Sequence, residues 1–359
     1  MRWICTSLLI LSLAQAAASQ DRVVRIGVLS IFHPQHLTVA TSETEDLVLS
    51  AGARRVFVHP RSSCSAADLS AAGDTLVMRC GRFEIRTAEL RAAARNQQAI
   101  KFVLKIPGKL ARQYEGILEV KAKNGEIIPV VEMDLELAVA SVVLAEAEPD
   151  APLEALKAQA VVSRSYLVAG RGRHTDFDFC DLTHCQLLRE PPEADGRAAQ
   201  AAAATRGMVL AYADKPFAAM FTRSCGGDTR TPVESGLSST EYPYYAVRCE
   251  ICYRDPVRWT RTLSREDAAL LLSNRENGKI AIGRKLGWDA VPGDNFTVRE
   301  QGNEVILEGV GQGHGMGLCQ RGARSMAELG SDFQTILSHY FPNTTLKSLS
   351  SGKDKLAAK

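Results

Sequence analysis

The strongest constraint on the fold is a change of sequence pattern at Leu135. Before it, from Val23 to about Val131, short β-branched runs recur between turn residues, a pattern typical of β-strands. After it, the segment LELAVASVVLAEAE has the length and composition of a helix. A β-rich N-terminal part therefore precedes a part that mixes helices and strands, and the predicted fold class is α+β.

Four runs and one hairpin carry the β-strand prediction. Asn124-Gly125 joins ILEVKAK to EIIPVVE, and this pair of residues tolerates the positive φ angles of a type I′ turn. Cys64 and Cys80 flank another turn, where we expect a structural disulfide. The four runs are VVRIGVLSI from Val23, RRVFVH from Arg54, FEIRT from Phe83 and FVLKI from Phe102.

The helical pattern continues beyond the first helix. A second helix is predicted to begin at Pro152, with Asp150 near its cap, and to stop at Gly170. An Ala-rich helix is predicted from about Glu193 to Arg206. The remaining predicted elements are strands around MVLAYA and FAAMF, a capped helix after Ser264 and a hairpin over FTVREQGNEVILEG.

The first residues have the layout of a secretory signal peptide. Arg2 precedes an apolar run that ends at Leu13, and small residues follow, with cleavage expected between Ala16 and Ser19. A membrane anchor is the alternative, but the run is too short to span a bilayer. We therefore predict an exported protein of the periplasm, the cell envelope or the extracellular space, with no stable membrane span after cleavage.

Charge and cysteine content narrow the possible partners. The 359 residues carry a formal net charge of only +2, and the basic residues are scattered, so nucleic acid is not an expected partner. Of nine cysteines, Cys5 would leave with the signal peptide. In the other eight, disulfide pairing competes with metal binding in an oxidising compartment.

The segment RHTDFDFCDLTHCQ places two thiols and two imidazoles within twelve residues. Such ligands suit tetrahedral zinc, and four protein ligands would close the coordination sphere, which makes the zinc structural rather than catalytic. A disulfide between the two cysteines, with two ordinary histidines beside it, is the alternative. The candidate ligands are His174, Cys180, His184 and Cys185.

An acidic segment precedes this cluster, at the predicted junction of the first two helices. It contains Glu146, Glu148 and Asp150. On the second helix, Lys157 and Arg164 lie seven residues apart and share a face. Spacing alone favours a solvated amphipathic helix over a binding site.

Two Gly-rich loops each expose one polar side chain: Ser224 in SCGG and His314 in GQGHGMG. Neither loop has the context of a nucleotide-binding loop, and a hydrogen-bonded structural histidine is the alternative for His314. The Cys249-x2-Cys252 pair suits a redox motif, a metal half-site or disulfides that include Cys225. We favour a structural disulfide of undetermined connectivity.

Taken together, four motifs resemble the stage II sporulation protein D family. They are AEAEPDAPLEALKAQAVVSRSYL, FDFCDLTHCQ, SCGGDT and GQGHGMGLCQRGA, and the resemblance extends from about Tyr114 to Leu346. Members of that family include peptidoglycan lytic transglycosylases and proteins described as amidase enhancers. The resemblance implies a catalytic domain with a structural zinc site over residues 131–346. The patterns of the remaining residues predict a signal peptide (1–19), a β-rich region (20–130) and a disordered tail (347–359).

The resemblance also implies roles for individual residues. Glu146 falls on the position of the catalytic acid/base, with Glu148 as a rival. The substrate-binding positions fall on Lys157, Arg164, Ser224, His314 and Gln320. For Arg164, a structural pairing with an acidic residue is the alternative. The structural zinc ligands fall on His174, Cys180, His184 and Cys185.

Several positions depart from the pattern of the family. Ala147-Glu148 replaces the usual Met-Pro after the catalytic glutamate, and Thr222 stands where relatives often carry His. Gln312 and Arg321 stand where aromatic residues are frequent. Since aromatic rings commonly stack on sugars, these replacements bear on glycan affinity.

The implied activity is cleavage of the MurNAc-GlcNAc bond in peptidoglycan glycan strands, which are expected to be denuded of their peptides. The alternative is a non-catalytic wall-binding protein that stimulates an N-acetylmuramoyl-L-alanine amidase.

Overall fold

The computed structural model describes residues 23–42, 45–273 and 275–349, without the side chains of 275–277. The predicted signal peptide over residues 1–19 lies outside this part of the chain, as do residues 350–359 of the predicted tail. Two compact units are formed. Unit 1 holds the described residues up to Glu146, then Arg171–Gly207 and Leu349, and unit 2 holds Ala147–Gly170 and Met208–Ser348. The division at residues 130 and 346 stays a prediction.

Unit 1 is built on one large sheet of mainly antiparallel strands. The strands are β1 (Val23–Gly27), β2 (His36–Thr41), β3 (Leu47–Ala51), β4 (Arg54–Val58), β5 (Ala66–Ala72), β6 (Thr75–Cys80), β7 (Phe83–Thr87), β8 (Glu89–Ala93), β9 (Ile100–Ile106), β10 (Leu110–Lys123), β11 (Glu126–Asp134) and β12 (Phe179–Cys180). Their order is β12-β1-β11-β10-β9-β2-β5-β6-β7, while β8 pairs with β10 and β3, and β3 pairs with β4. The four predicted runs are confirmed as β1, β4, β7 and β9.

The predicted hairpin is confirmed as β10 and β11. Lys123 pairs with Glu126 across a turn in which Asn124 has a φ of 54° and Gly125 a φ of 80°. Along β10, side chains are buried at every second position from Tyr114 onward, which is the period of a strand with one face on the core. The predicted disulfide between the cysteines at residues 64 and 80 is formed.

Helices occur in both units of the described chain. The helices are α1 (Leu135–Glu146), α2 (Leu153–Ala169), α3 (Arg197–Ala204), α4 (Glu250–Arg254), α5 (Arg265–Ser273), α6 (Arg275–Leu286), α7 (Gln320–Glu328) and α8 (Phe333–Tyr340), with 3₁₀ turns at Ser30–Phe32 and Val233–Ser235. In unit 1, α1 packs against α3, which is shorter than the predicted Ala-rich helix. The predicted helix after Ser264 is confirmed as α5, whose first turn donates the Asp267 N–H to the Ser264 hydroxyl.

Unit 2 is organised around α2. Almost every residue of α2 from Ala155 onward is buried, because its many alanines let neighbouring elements approach closely. The strands are β13 (Met208–Tyr212), β14 (Lys215–Pro216), β15 (Phe221–Thr222), β16 (Arg258–Ser264), β17 (Phe296–Gln301), β18 (Glu304–Val310), β19 (Leu318–Cys319) and β20 (Thr345–Ser348). They form the sheets β14-β13-β20, β15-β19 and β16-β18-β17.

Of two strand predictions for unit 2, one is confirmed and the other is wrong. The last hairpin is confirmed as β17 and β18. A strand over FAAMF is wrong for most of its length, since only Phe221 of that run pairs, in parallel with Leu318. The Ala219 N–H donates to the Phe217 carbonyl at 2.9 Å, a tight local turn that interrupts an extended strand.

The described chain is a mixture of a large sheet and helices, in agreement with the predicted class at that level. Within residues 23–42, 45–273 and 275–349, no helix has both the length and the apolar composition needed to cross a membrane.

Candidate functional site

Glu146 is the last residue of α1 and is half-buried. Its Oε1 accepts a hydrogen bond of 2.8 Å from the backbone N–H of Leu187. Leu187 follows Cys185 by two residues, so this bond ties the end of α1 to the segment that leaves the Cys/His motif. The predicted acid/base and the predicted metal ligands are thus joined in unit 1.

The four predicted metal ligands converge in unit 1. One donor atom from each of His174, Cys180, His184 and Cys185 lies within 4.8 Å of all the others. The Cys185 Sγ is 3.3 Å from the His174 Nε2 and 3.5 Å from the His184 Nδ1, which is 3.5 Å from the Cys180 Sγ. Sulfur and nitrogen atoms at such separations fit a tetrahedral ion with bonds of about 2.0–2.3 Å.

Both thiols of this cluster are buried and neither belongs to a disulfide, so the Cys180–Cys185 bridge considered as an alternative is not formed. A hydrogen bond from Cys185 is the main cause that lowers the pKa of Cys180 to about 4, with His184 acting in the same direction. The pair therefore supplies a thiolate readily, as a soft metal ligand must.

Strand β12 positions the cluster. It adds to the sheet in parallel with β1, where Gly27 lies opposite Cys180. A Cβ at Gly27 would lie 2.5 Å from the Phe177 ring, so the close approach requires glycine. The next residue, Asp181, is buried, accepts the Leu29 N–H at 3.0 Å and pairs with Arg112 at 3.3 Å. Sequence reasoning did not single out Asp181.

Unit 2 contains a pocket that is open to solvent. Gln320 lines it, and its Nε2 donates to the Gln159 Oε1 at 3.0 Å. Of the other predicted substrate-binding residues, all of which the structure describes, none is among those that line the pocket. The lining residues with charged side chains are Glu148, Arg223, Arg321 and Arg324.

Glu148 lines this pocket but is engaged in ion pairs. Its Oε2 lies 2.6 Å from Arg324, and its Oε1 lies 4.0 Å from Arg223. Arg324 also binds Asp150 at 2.8 Å and Glu328 at 2.8 Å. Both acidic residues beyond Glu146 in the predicted segment are therefore held by one guanidinium group.

The two basic residues of α2 have structural partners. Lys157 lies 2.6 Å from Glu154, one turn earlier, and Glu154 also accepts the Phe333 N–H at 2.9 Å. Arg164 is fully buried and donates to the carbonyl oxygens of Ala160 and Met208, at 3.5 and 3.1 Å. Full burial favours a structural role for Arg164, and its assignment to substrate binding stays a prediction.

The two Gly-rich loops lie against each other. Ser224 and Gln312 exchange backbone hydrogen bonds of 3.1 and 2.8 Å. The Thr222 hydroxyl accepts the Gly315 N–H at 3.1 Å and donates to the Gln312 carbonyl at 2.9 Å. Gly311 is required here, since it has a φ of +79° and a Cβ would lie 2.6 Å from the Ser224 carbonyl oxygen.

The pairing of the two loops fixes the positions of the Ser224 and His314 side chains. Ser224 is buried, with its Oγ 3.5 Å from the Cys252 Sγ. The Nδ1 of His314 accepts the Met316 N–H at 3.1 Å, which requires the neutral ring. Desolvation lowers the pKa of His314 to about 4; Lys279 and Arg230 contribute to this shift and Asp294 opposes it. The hydrogen bond favours the structural interpretation of His314.

A second group of cysteines corrects the disulfide expected among Cys225, Cys249 and Cys252. None of the three is disulfide-bonded. Their sulfur atoms and that of Cys319 all lie within 4.8 Å of one another. Sequence reasoning missed Cys319, although its position directly before Gln320 in the last Gly-rich motif was a usable signal.

Comparison of the sequence with known proteins identifies the family of this chain. Residues 123–212 match the family described as stage II sporulation protein. An uncharacterised protein of Brachyspira hyodysenteriae is 30% identical over 262 residues, which cover 64% of this chain and 71% of that protein. The chain belongs to the stage II sporulation protein D family.

Named relatives are more distant. Stage II sporulation protein D of Bacillus amyloliquefaciens is 26% identical over 269 residues, which cover 63% of this chain and 77% of the relative. A Bacillus subtilis protein named amidase enhancer is 25% identical over 278 residues, 55% of this chain but only 38% of that protein. Membership of the stage II sporulation protein D family makes the chain a cell-wall-related protein.

The part that matches the stage II sporulation protein D family includes Glu146, the Cys/His cluster and Leu187. It ends before the two Gly-rich loops and the second group of cysteines begin.

Proposed function

We propose that this protein is an exported lytic transglycosylase that cleaves the MurNAc-GlcNAc bond of peptidoglycan, with Glu146 as its acid/base. The observation that carries the proposal is the hydrogen bond between the Glu146 Oε1 and the Leu187 N–H. It fixes a half-buried carboxyl group beside the segment of the Cys/His cluster. A catalytic group must be held in this way within a few tenths of an ångström of its working position.

One carboxyl group is sufficient for the reaction. Protonated Glu146 donates to the glycosidic oxygen as the bond to the MurNAc C1 breaks. The carboxylate then takes the proton from the C6 hydroxyl of MurNAc, whose oxygen bonds to C1 and closes a 1,6-anhydro ring. The proton that left Glu146 is thereby replaced, and no water is consumed.

A hydrolase usually needs a second carboxylate, about 5–9.5 Å from the first. The two acidic residues next along the chain, Glu148 and Asp150, are bound to Arg324. Their ion pairs leave them poorly placed to activate water, which favours the transglycosylase over a hydrolase.

The cluster of His174, Cys180, His184 and Cys185 is proposed to hold a structural zinc ion. When bound, the ion would supply a fixed tetrahedral crosslink and no open position for a reactant. What the chain gains is order in the segment up to Leu187, and therefore a fixed direction for the N–H that binds Glu146.

The decisive experiment compares two isosteric variants. Purified wild type, Glu146→Gln and Glu148→Gln are incubated with denuded and with peptide-bearing glycan strands, and products with 1,6-anhydro ends are quantified by mass spectrometry. Loss of the general acid in Glu146→Gln should lower the rate by roughly 10²–10⁴-fold. Glu148→Gln is the matched control, expected within a few-fold of wild type. Full activity of Glu146→Gln would refute the assignment.

A non-catalytic amidase enhancer is the second candidate, supported by the relative of that name. It would bind glycan strands and increase the activity of an N-acetylmuramoyl-L-alanine amidase without cleaving the strands itself. In the same experiment it would produce no anhydro ends from any substrate. Adding a purified amidase would then increase release of stem peptides.

A further inference from the structure

Four buried cysteines from three separate parts of the sequence meet in unit 2. Cys225 lies in the first Gly-rich loop, Cys249 and Cys252 lie at the start of α4 and within it, and Cys319 precedes α7. Each is at most 1% exposed. Their sulfur atoms lie within 4.8 Å of one another, and those of Cys252 and Cys319 are 3.6 Å apart.

We propose that these four cysteines bind a second zinc ion, separate from the Cys/His cluster of unit 1. Four thiolates at about 2.3 Å from a tetrahedral ion lie about 3.8 Å from one another, close to the separation of Cys252 and Cys319. An iron–sulfur cluster places several metal and sulfide atoms between its thiolates and needs a wider cage. A single ion with four sulfur ligands has no position for water, so the site is structural.

Hydrogen-bond donors surround the sulfur atoms. The Cys225 N–H points at the Cys319 Sγ at 3.4 Å, and the Tyr340 hydroxyl donates to the Cys249 Sγ at 3.3 Å. Metal-bound thiolates keep negative charge, and donors of this kind hold and tune them. A disulfide sulfur is a weak acceptor and would gain little from the same groups.

The proposed ion would crosslink the walls of the open pocket. Arg223 precedes Cys225 by two residues, and Gln320 follows Cys319 directly; both side chains line the pocket. The Cys225 loop and the start of α7 are also joined by the short parallel pairing of β15 and β19 and by a hydrogen bond of 3.2 Å from the Arg321 N–H to the Arg223 carbonyl. Metal binding would therefore fix the distance between two pocket walls, whichever ligand the pocket takes.

The test counts zinc in the purified full chain by mass spectrometry of the metal. Wild type should contain two zinc ions per chain, and Cys249→Ala and His184→Ala one each, since each variant removes one ligand of a different site. A variant with both cysteines of the confirmed disulfide changed, Cys64→Ser and Cys80→Ser, is the matched control and should keep two. Equal zinc contents in wild type and Cys249→Ala would overturn the proposal, whether or not the Cys/His site of unit 1 is filled.

Measurements on wild type remain decisive if a variant fails to fold. With both sites filled, six sulfur and two nitrogen ligands share two ions, so X-ray absorption should give about three sulfur atoms and one nitrogen per zinc. The Cys/His site alone would give equal numbers of both. Resistance of Cys225, Cys249, Cys252 and Cys319 to alkylation in denatured, unreduced protein would show disulfides instead and refute the metal site.

Discussion

Glu146 and Glu148 lie two positions apart and have different partners. Glu146 is half-buried and accepts a backbone N–H, whereas Glu148 is 49% exposed and lies beside Arg324. A neutral amide can replace the first carboxylate as a hydrogen-bond acceptor but cannot replace the charge of the second. A suitable substitution at Glu146 can therefore remove the acid/base group while keeping the hydrogen-bond acceptor that contributes to stability.

We expect Glu146→Ala to be less stable than Glu146→Gln. The alanine leaves the Leu187 N–H without the acceptor that it has in the native chain, at a cost of about 0.5–1.5 kcal/mol. Glutamine keeps an oxygen in that position. Urea unfolding of the three proteins at neutral pH measures the difference. Equal stability of the two variants would mean that this hydrogen bond contributes nothing to the fold.

His314 makes stability depend on pH. Its pKa is about 4 in the folded chain and about 6.5 when unfolded. Between these values the unfolded state binds more protons, so the contribution of His314 is complete above pH 6.5 and is lost as pH falls toward 4. We expect a loss on the order of 1–3 kcal/mol over this window.

The matched variant for this prediction is His314→Asn, which keeps an acceptor near Met316 but does not titrate. Unfolding free energies of wild type and variant are measured at pH 7 and pH 5, and their pH dependences are subtracted. The variant should lose less stability on acidification. An identical pH dependence in both proteins would contradict the low pKa of His314.

At the scale of elements, α7 shows how close packing selects a residue against its helix propensity. Gly322 lies in the first turn of α7, and a Cβ there would lie 1.8 Å from the Tyr340 hydroxyl and 2.5 Å from the Cys249 Sγ. Glycine in a helix normally costs about 0.5–1 kcal/mol relative to alanine. Here Tyr340 of α8 and Cys249, the residue before α4, leave no room for a Cβ, and this requirement outweighs the cost of glycine.

Gly322→Ala is therefore expected to destabilise the protein by roughly 1–3 kcal/mol, although the same change stabilises most helices. Thermal and urea unfolding measure the effect. Tyr340→Phe removes the oxygen atom of the closest contact. Gly322→Ala should therefore cost less stability in the Tyr340→Phe background than in wild type. A stabilised Gly322→Ala would contradict the packing of α7 on α8.

The local elements show where sequence reasoning succeeds. Asn124-Gly125 and the alternating residues around it predicted β10 and β11 because strand period and turn geometry are properties of neighbouring residues. The same holds for the cluster from His174 to Cys185, whose members span twelve residues. Helix α6 was not predicted, since its apolar residues do not form a regular stripe.

At the scale of the whole molecule, the features that were missed depend on contacts between distant residues. Cys252 and Cys319 are separated by 67 positions and come together only through the packing of α4 and α7. The burial of Arg164 against β13 and the bond from Leu187 to Glu146 arise in the same way. No local pattern encodes such contacts, which is why spacing suggested a solvated face on α2 and only the family resemblance pointed to substrate binding there.

The proposed zinc in unit 1 gives a prediction for the whole chain. In His174→Ala, loss of the ion should free the segment up to Leu187, whose N–H then no longer holds Glu146 in one position. Hydrogen exchange of residues 180–187 should become at least tenfold faster, and formation of anhydro ends should fall in parallel. Exchange is measured by mass spectrometry on the folded protein, so the structural effect is seen even in a protein without activity.

Breaking the Cys64–Cys80 disulfide in the same unit is the control that separates local order from general stability. Removal of a crosslink over 16 residues should cost about 3 kcal/mol of unfolding free energy. Exchange of residues 180–187 should nevertheless stay slow in that variant, because the Cys/His cluster is intact. If the disulfide variant and His174→Ala accelerate exchange of this segment equally, the cluster stabilises unit 1 as a whole and has no specific part in positioning Glu146.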